Sequence, residues 1–252
     1  MTPGLTEVVF ATFLIFCRIG ACLMVMPGFS TQRVQPQIRL LIALAITVAV
    51  APLLLPGMTG VVRGASNADN IQNIFTELLI GGTIGLMGRY FFLALQFAAI
   101  ALATYIGLGG APMPSIDEVD PAPALANLVT LTATVLFFLT EQHLEVIKAL
   151  VSSYNIMPVS EGFDVQNSVT QLTRTLGVAF VLAVQITSPF IVFSIAVNFL
   201  FGLLNKMTPQ IQVYFISIPF VAAGGLLFVY FFINEVMRIF TEGFMTWLQR
   251  GA

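Results

Sequence analysis

The sequence predicts an all-α protein of hydrophobic helical hairpins, membrane-protein-like, with one irregular Gly/Pro-rich loop. Three observations predict it. Hydrophobic residues make up 58% of the chain and charged residues 9%, with a mean hydropathy of +0.95. A soluble domain carries nearer ~25% charged residues, so these charges are too few to cover a soluble globule. Two long runs, Thr175 to Asn205 and Met207 to Asn234, hold no charged residue. Each exceeds the roughly 20 residues that a helix needs to cross a bilayer core. Between them stands a polar punctuation, Asn205-Lys206-Met207-Thr208-Pro209-Gln210-Ile211-Gln212-Val213. Pro209 cannot continue the first helix but suits the first turn of the second, where its missing N–H costs nothing. The rest of the chain repeats this plan, and residues 1–252 read as a single helical domain.

The first apolar run spans Val8 to Met26, holds Arg18 near its middle and ends at Pro27-Gly28. An Arg there is expensive in lipid and is expected to face protein. Glu7 precedes the run and no basic region does, so it reads as part of the mature chain and not as a signal peptide. A polar loop with Arg33 and Arg39 leads to a second run, Leu40 to Leu55, which Pro52 and Pro56-Gly57 are expected to stop. Met58 to Asn70 reads as a surface linker.

From Ile71 to Leu108 the only charges are Glu77 and Arg89. A straight helix over this run would be about 57 Å long, far beyond the bilayer core. It is either a hairpin breaking near Gly85 to Arg89 or one long helix inside an assembly. The distribution of Lys and Arg favours the hairpin, with roughly seven crossings. Gly81 and Gly85 give a small-xxx-small face for close helix packing.

Gly107 to Pro123 holds Gly109-Gly110, Pro112, Pro114, Asp117-Glu118 and Asp120-Pro121, and no helix can run through it. Loops of this length are commonly functional. Leu125 to Leu139 is a short apolar helix that runs on into the amphipathic stretch Glu141 to Lys148. A polar loop from Ser152 to about Asn167 and then Arg174 precede the two charge-free runs. The tail, Asn234 to Ala252, reads as an amphipathic interfacial helix.

No catalytic signature is present: no phosphate loop, dinucleotide motif, nucleophile elbow or His-rich metal motif. The sequence therefore predicts no enzyme and no cofactor. No basic block points to nucleic acid. Cys17 and Cys22 stand about 140° apart around a helix and read as packing residues. The lone His143 points away from the helix face that Glu141 and Glu145 share, which argues against a metal site and for a polar interface. Arg18, Glu77, Arg89, Gln96, Gln185 and Asn198 are polar groups within apolar runs and need partners. Interhelical hydrogen bonding in a multi-subunit bundle fits them better than a proton or ion pathway.

Three motifs carry a resemblance that spans nearly the whole chain. The first is Pro27-Gly28-Phe29-Ser30 through Pro36-x-x-Arg39-Leu40, followed by Leu41-Ile42-Ala43-Leu44-Ala45. The second is Glu141-Gln142-His143, then Lys148-Ala149-Leu150, Ser153-Tyr154 and Pro158. The third is Pro209-Gln210-Ile211-Gln212-Val213 with Pro219-Phe220, preceded by Asn198 and Gly202-Leu203-Leu204. In this order and spacing they resemble the FliR family of the flagellar type III export gate and its injectisome T-subunit relatives.

The resemblance implies a core subunit of a closed channel for unfolded flagellar export substrates, needed for flagellum assembly. Its partners would be P-type and Q-type subunits, the B-type switch subunit and other export apparatus, at the basal body in the bacterial inner membrane. It implies a pore plug drawn from the irregular loop, with Gly109, Gly110, Met113 and Ile116 as candidates. Arg18, Arg39, Glu77, His143, Asn198, Asn205, Pro209 and Gln210 are candidates for the assembly interface. An injectisome T subunit is the alternative. A small-molecule secondary transporter is a further one, but it would show internal repeats with matched broken helices, and none is visible. A membrane anchor for an enzyme complex would leave the Gly107–Pro123 loop without a role.

Overall fold

The computed structural model describes residues 4–30, 34–63, 65–110, 112–114, 121–208 and 213–249. Among them the helices are α1 (Leu5–Val25), α2 (Pro36–Val62), α3 (Asn67–Tyr105), α4 (Ala124–Leu139), α5 (Gln142–Ile156), α6 (Val165–Met207) and α7 (Val213–Gln249). Between α3 and α4 lies a two-stranded antiparallel ladder, β1 (Pro112–Pro114) with β2 (Pro121–Pro123), in which Met113 faces Ala122. The prediction of an all-α, membrane-protein-like chain holds. Among the described residues five helices are long and apolar enough to cross a membrane, or six spans if the bent pair α4 and α5 is counted as one.

Helix starts follow local chemistry. The Gly4 N–H donates to Glu7 Oε2 at 3.1 Å in the first turn of α1. At α3 the Ser66 N–H donates to Asp69 Oδ2 at 2.9 Å while the Asp69 N–H donates to Ser66 Oγ at 3.3 Å. This reciprocal pairing satisfies donors that the helix itself cannot. At α6 the Asn167 N–H donates to Asp164 Oδ1 at 3.0 Å.

Several expected boundaries moved. Helix α2 continues through Pro52 and Pro56 to Val62, so Met58 opens no linker. A proline deletes one intrahelical hydrogen bond, and a long apolar helix tolerates that loss when its neighbours re-satisfy the freed carbonyl. Helix α3 is continuous through Gly85 to Arg89, which overturns the hairpin and the crossing count built on it. The glycines there serve packing: a β-carbon on Gly81 would overlap the Arg18 carbonyl, and one on Gly85 would lie 2.6 Å from the Cys22 carbonyl oxygen. The run Leu125 to Lys148 is broken at Thr140 and Glu141, where Glu141 takes left-handed backbone at φ 58°. Glu141 therefore lies outside the helix that carries Glu145. Helix α5 extends to Ile156 and α6 already begins at Val165, so the loop between them is shorter than expected. The tail is the continuation of α7 and not a separate helix.

The chain divides into two compact units. One comprises the described residues within Met1–Tyr90, Phe138–Leu176 and Met245–Ala252. Its core has Ala11, Leu14, Ile15, Ile19 and Leu23 of α1 against Ala43, Ala51 and Met58 of α2. The other comprises Phe91–Phe137 and Gly177–Phe244. It is centred on aromatic rings in edge-to-face contact: Phe92 lies 5.9 Å from Phe137, 5.2 Å from Phe240 and 6.0 Å from Phe244. Such geometry adds to the burial of each ring. In the same unit Gly225 meets Ile106 and Gly243 meets Leu182, where a β-carbon would overlap either side chain.

Candidate functional site

Arg18 and Glu77 are both fully buried, on α1 and α3 of the first unit. The glycine face of α3 lets the two helices approach closely enough for the side chains to meet. The guanidinium grips the carboxylate in a fork: Nε donates to Oε2, and Nη2 donates to Oε1 at 3.0 Å. Helix α5 and the residue that caps its C-terminal end supply the remaining partners. Nη1 donates to Ser153 Oγ at 3.0 Å, and Nη2 donates to the Met157 carbonyl, also at 3.0 Å. The Ser153 hydroxyl in turn donates to the Leu150 carbonyl at 2.7 Å. The Tyr154 ring lies 3.8 Å from the guanidinium carbon, within cation–π range. Paired charges with satisfied donors can be buried, whereas a lone one cannot without a large cost.

This cluster answers the expectation that Arg18 faces protein. It also redirects the expectation that Arg18 and Glu77 serve an assembly interface: their partners lie within the chain, and neither offers surface to a neighbour. Sequence reasoning did not foresee Ser153, Tyr154 and the Met157 carbonyl as those partners. The Ser153-Tyr154 pair stood out only as part of a motif, and a backbone carbonyl leaves no mark in a sequence.

The other candidates are spread along the chain. Arg39, half-buried at the start of α2, donates from Nε to the Val34 carbonyl at 3.1 Å. His143 stands in the first turn of α5, its ring 5.5 Å from that of Phe138. Asn198 is exposed on α6, its amide turned back on the Ser194 carbonyl at 2.8 Å and the Ser194 hydroxyl at 3.1 Å. Asn205 is exposed in the last turns of α6. Gly109 sits where a β-carbon would come within 3.0 Å of Thr104 Oγ1, and Gly110 has open space around it. Met113 has its backbone in β1. The Met113 side chain, and Ile116, Pro209 and Gln210 entirely, lie outside the described residues.

The main unspent surface is apolar. On α6, Val192, Ile195, Phe199 and Leu203 are exposed at helical spacing, and on α7 so are Phe220, Leu227, Tyr230 and Phe231. On α2 the exposed face is Leu41, Leu44 and Val48. A face of this kind belongs against lipid or another protein and not against water. A polar cleft of about 380 Å³ opens between Arg63, Asp69, Gln72, Asn73, Ser160 and Glu161, with Arg63 3.6 Å from Glu7. Among the described residues no group of His, Cys, Asp and Glu could hold a metal ion.

Residues 9–247 match the family described as bacterial export proteins, family 1. The chain is 29% identical over 242 residues to the flagellar biosynthetic protein FliR of Caulobacter vibrioides, covering 93% of this chain and 92% of that one. It is 28% identical to the FliR of Escherichia coli, covering 83% and 78% of the two chains. It is 24% identical to that of Pectobacterium carotovorum, covering 84% and 80%. Long apolar helices and a match over nearly the full length converge: the chain belongs to the bacterial export proteins, family 1, the family of the flagellar FliR proteins.

Proposed function

We propose that this chain is the R-type core subunit of the flagellar type III export gate, working in the bacterial inner membrane at the basal body. In this reading it packs with P-type and Q-type subunits, and contacts the B-type switch subunit, around a closed channel for unfolded flagellar proteins. It positions other chains and catalyses no reaction. The observation that carries the reading is the family match over residues 9–247. The exposed apolar faces of α2, α6 and α7 support it, because helices of neighbouring subunits would cover them. The relatives reported above are named as flagellar proteins, which favours the flagellar over the injectisome system.

Within that channel we assign the plug to the loop between α3 and α4, with Gly109, Gly110, Met113 and Ile116 as its candidate residues. The short ladder supports this: it pairs Pro114 with Pro121, the residues on either side of 115–120. Arg39, His143, Asn198, Asn205, Pro209 and Gln210 remain the proposed contacts to other subunits.

The test is co-purification. The tagged chain, produced with its P-type and Q-type subunits from one operon and extracted in mild detergent, should bring both down in fixed ratio. Recovery of the tagged chain alone, as a complete homo-oligomer, would point to a transporter and overturn the gate reading.

A further inference from the structure

Arg18 sits in the middle of an apolar helix with no exposed surface, and so does Glu77 on α3. The two are 59 residues apart in sequence, and the partners Ser153 on α5 and Met157 at its C-terminal cap are 135 and 139 residues from Arg18. Until α3 is made, α1 carries a guanidinium that stays charged in every environment. An unpaired charge of that kind is costly inside an apolar layer. The contact cannot form partway either, because the Arg18 carbonyl occupies the space that the absent Gly81 side chain leaves open. Charge pairing and backbone contact therefore arise together or not at all.

We propose that the Arg18–Glu77 contact is an internal folding checkpoint: it makes the packing of α1 on α3 all-or-none, and marks a chain that has not achieved it by a bare charge in an apolar helix. The device is a property of one unit of the fold and does not depend on which subunits surround it. Ser153 and the Met157 carbonyl close the checkpoint, since Arg18 has its full set of partners only once α5 has been added.

The chain holds its own reporters. Cys17 and Cys22 are its only cysteines. They flank Arg18 on α1 and are 6% and 0% exposed. The full-length protein in its native membrane would be made as wild type, Arg18→Met, Glu77→Met and the double variant. Two readouts apply: the rate at which a membrane-permeant maleimide labels the cysteines, and the half-life of the chain after a radioactive pulse. Removing one partner leaves an uncompensated buried charge, while removing both leaves none. Each single variant should label about tenfold faster than wild type and turn over several times faster, with Glu77→Met the worse because it strands the guanidinium. The double variant should return both readouts to within about twofold of wild type. Single variants indistinguishable from wild type would overturn the proposal. So would a double variant as reactive and short-lived as the worse single one, which would locate the defect in lost packing.

Discussion

At Gly81 an added β-carbon would overlap the Arg18 carbonyl, while at Gly82, one residue on, it would meet nothing within 4 Å. The two positions share a helix and differ only in the face they present. Gly81→Ala should destabilise the protein by about 1–3 kcal/mol, the usual cost of overpacking. Gly82→Ala should be neutral or gain up to about 1 kcal/mol from helix propensity. Thermal unfolding of the purified complex checks both, and equal melting points would remove the close-approach argument. Glu141 is a second residue-scale case. Its left-handed backbone at φ 58° costs a side chain about 1–2 kcal/mol that glycine avoids, so Glu141→Gly should raise the melting point, partly offset by chain entropy. A lowered melting point would mean that the Glu141 side chain makes a contact worth more than the strain. The environment of Arg18 was legible at this scale, because a charge mid-way along an apolar run must face protein. Its partner was not legible. The pairing of positions 59 apart is set by which helix faces approach, and a single sequence does not encode that locally.

At the scale of elements, the apolar runs were legible and their boundaries were not, for one physical reason. Gly and Pro punctuate chains in water, where a broken backbone hydrogen bond is replaced at once by solvent. In long apolar helices that replacement is absent and the helix persists. Thus Pro52 and Pro56 lie inside α2, and Gly81, Gly85 and Gly88 lie inside α3. None of the described residues of the Gly107–Pro123 loop is helical, in line with the density of its prolines and glycines. Its ladder is an addition: only Met113 and Ala122 among its residues bring an N–H, so sequence alternation gave no strand signal. The plug assignment predicts that deleting Met113 to Ile116 leaves the complex assembled and makes it leaky. Met suits a movable barrier, because its unbranched thioether chain repacks around different partners. Ion conductance across bilayers holding the purified complex measures this, and wild-type tightness in an intact deletion complex would return the loop to a simple connector.

For the whole molecule the sequence and the structure point to different origins for the proposed dependence on other subunits. Polar residues stranded in apolar runs suggested that the chain depends on other subunits. The structure pairs Arg18 and Glu77 internally, so these two do not carry the proposed dependence. It rests instead on the exposed apolar faces. Phe199 is 67% exposed, Phe220 69% and Phe231 72%, and each fully buried aromatic contributes on the order of 2–3 kcal/mol. Lipid or detergent can cover such faces without fixing a single packing partner, whereas a partner helix packs into one arrangement. Expressed alone in detergent, the chain should run as a broad, aggregation-prone species. Co-expressed with its P-type and Q-type subunits, it should elute as one sharp complex with a melting point raised by several degrees, because binding to the folded state alone stabilises it. Size-exclusion chromatography and thermal unfolding of the two preparations compare these states directly. A lone chain that is monodisperse and melts as high as the complex would show that its exposed faces need nothing beyond the lipid.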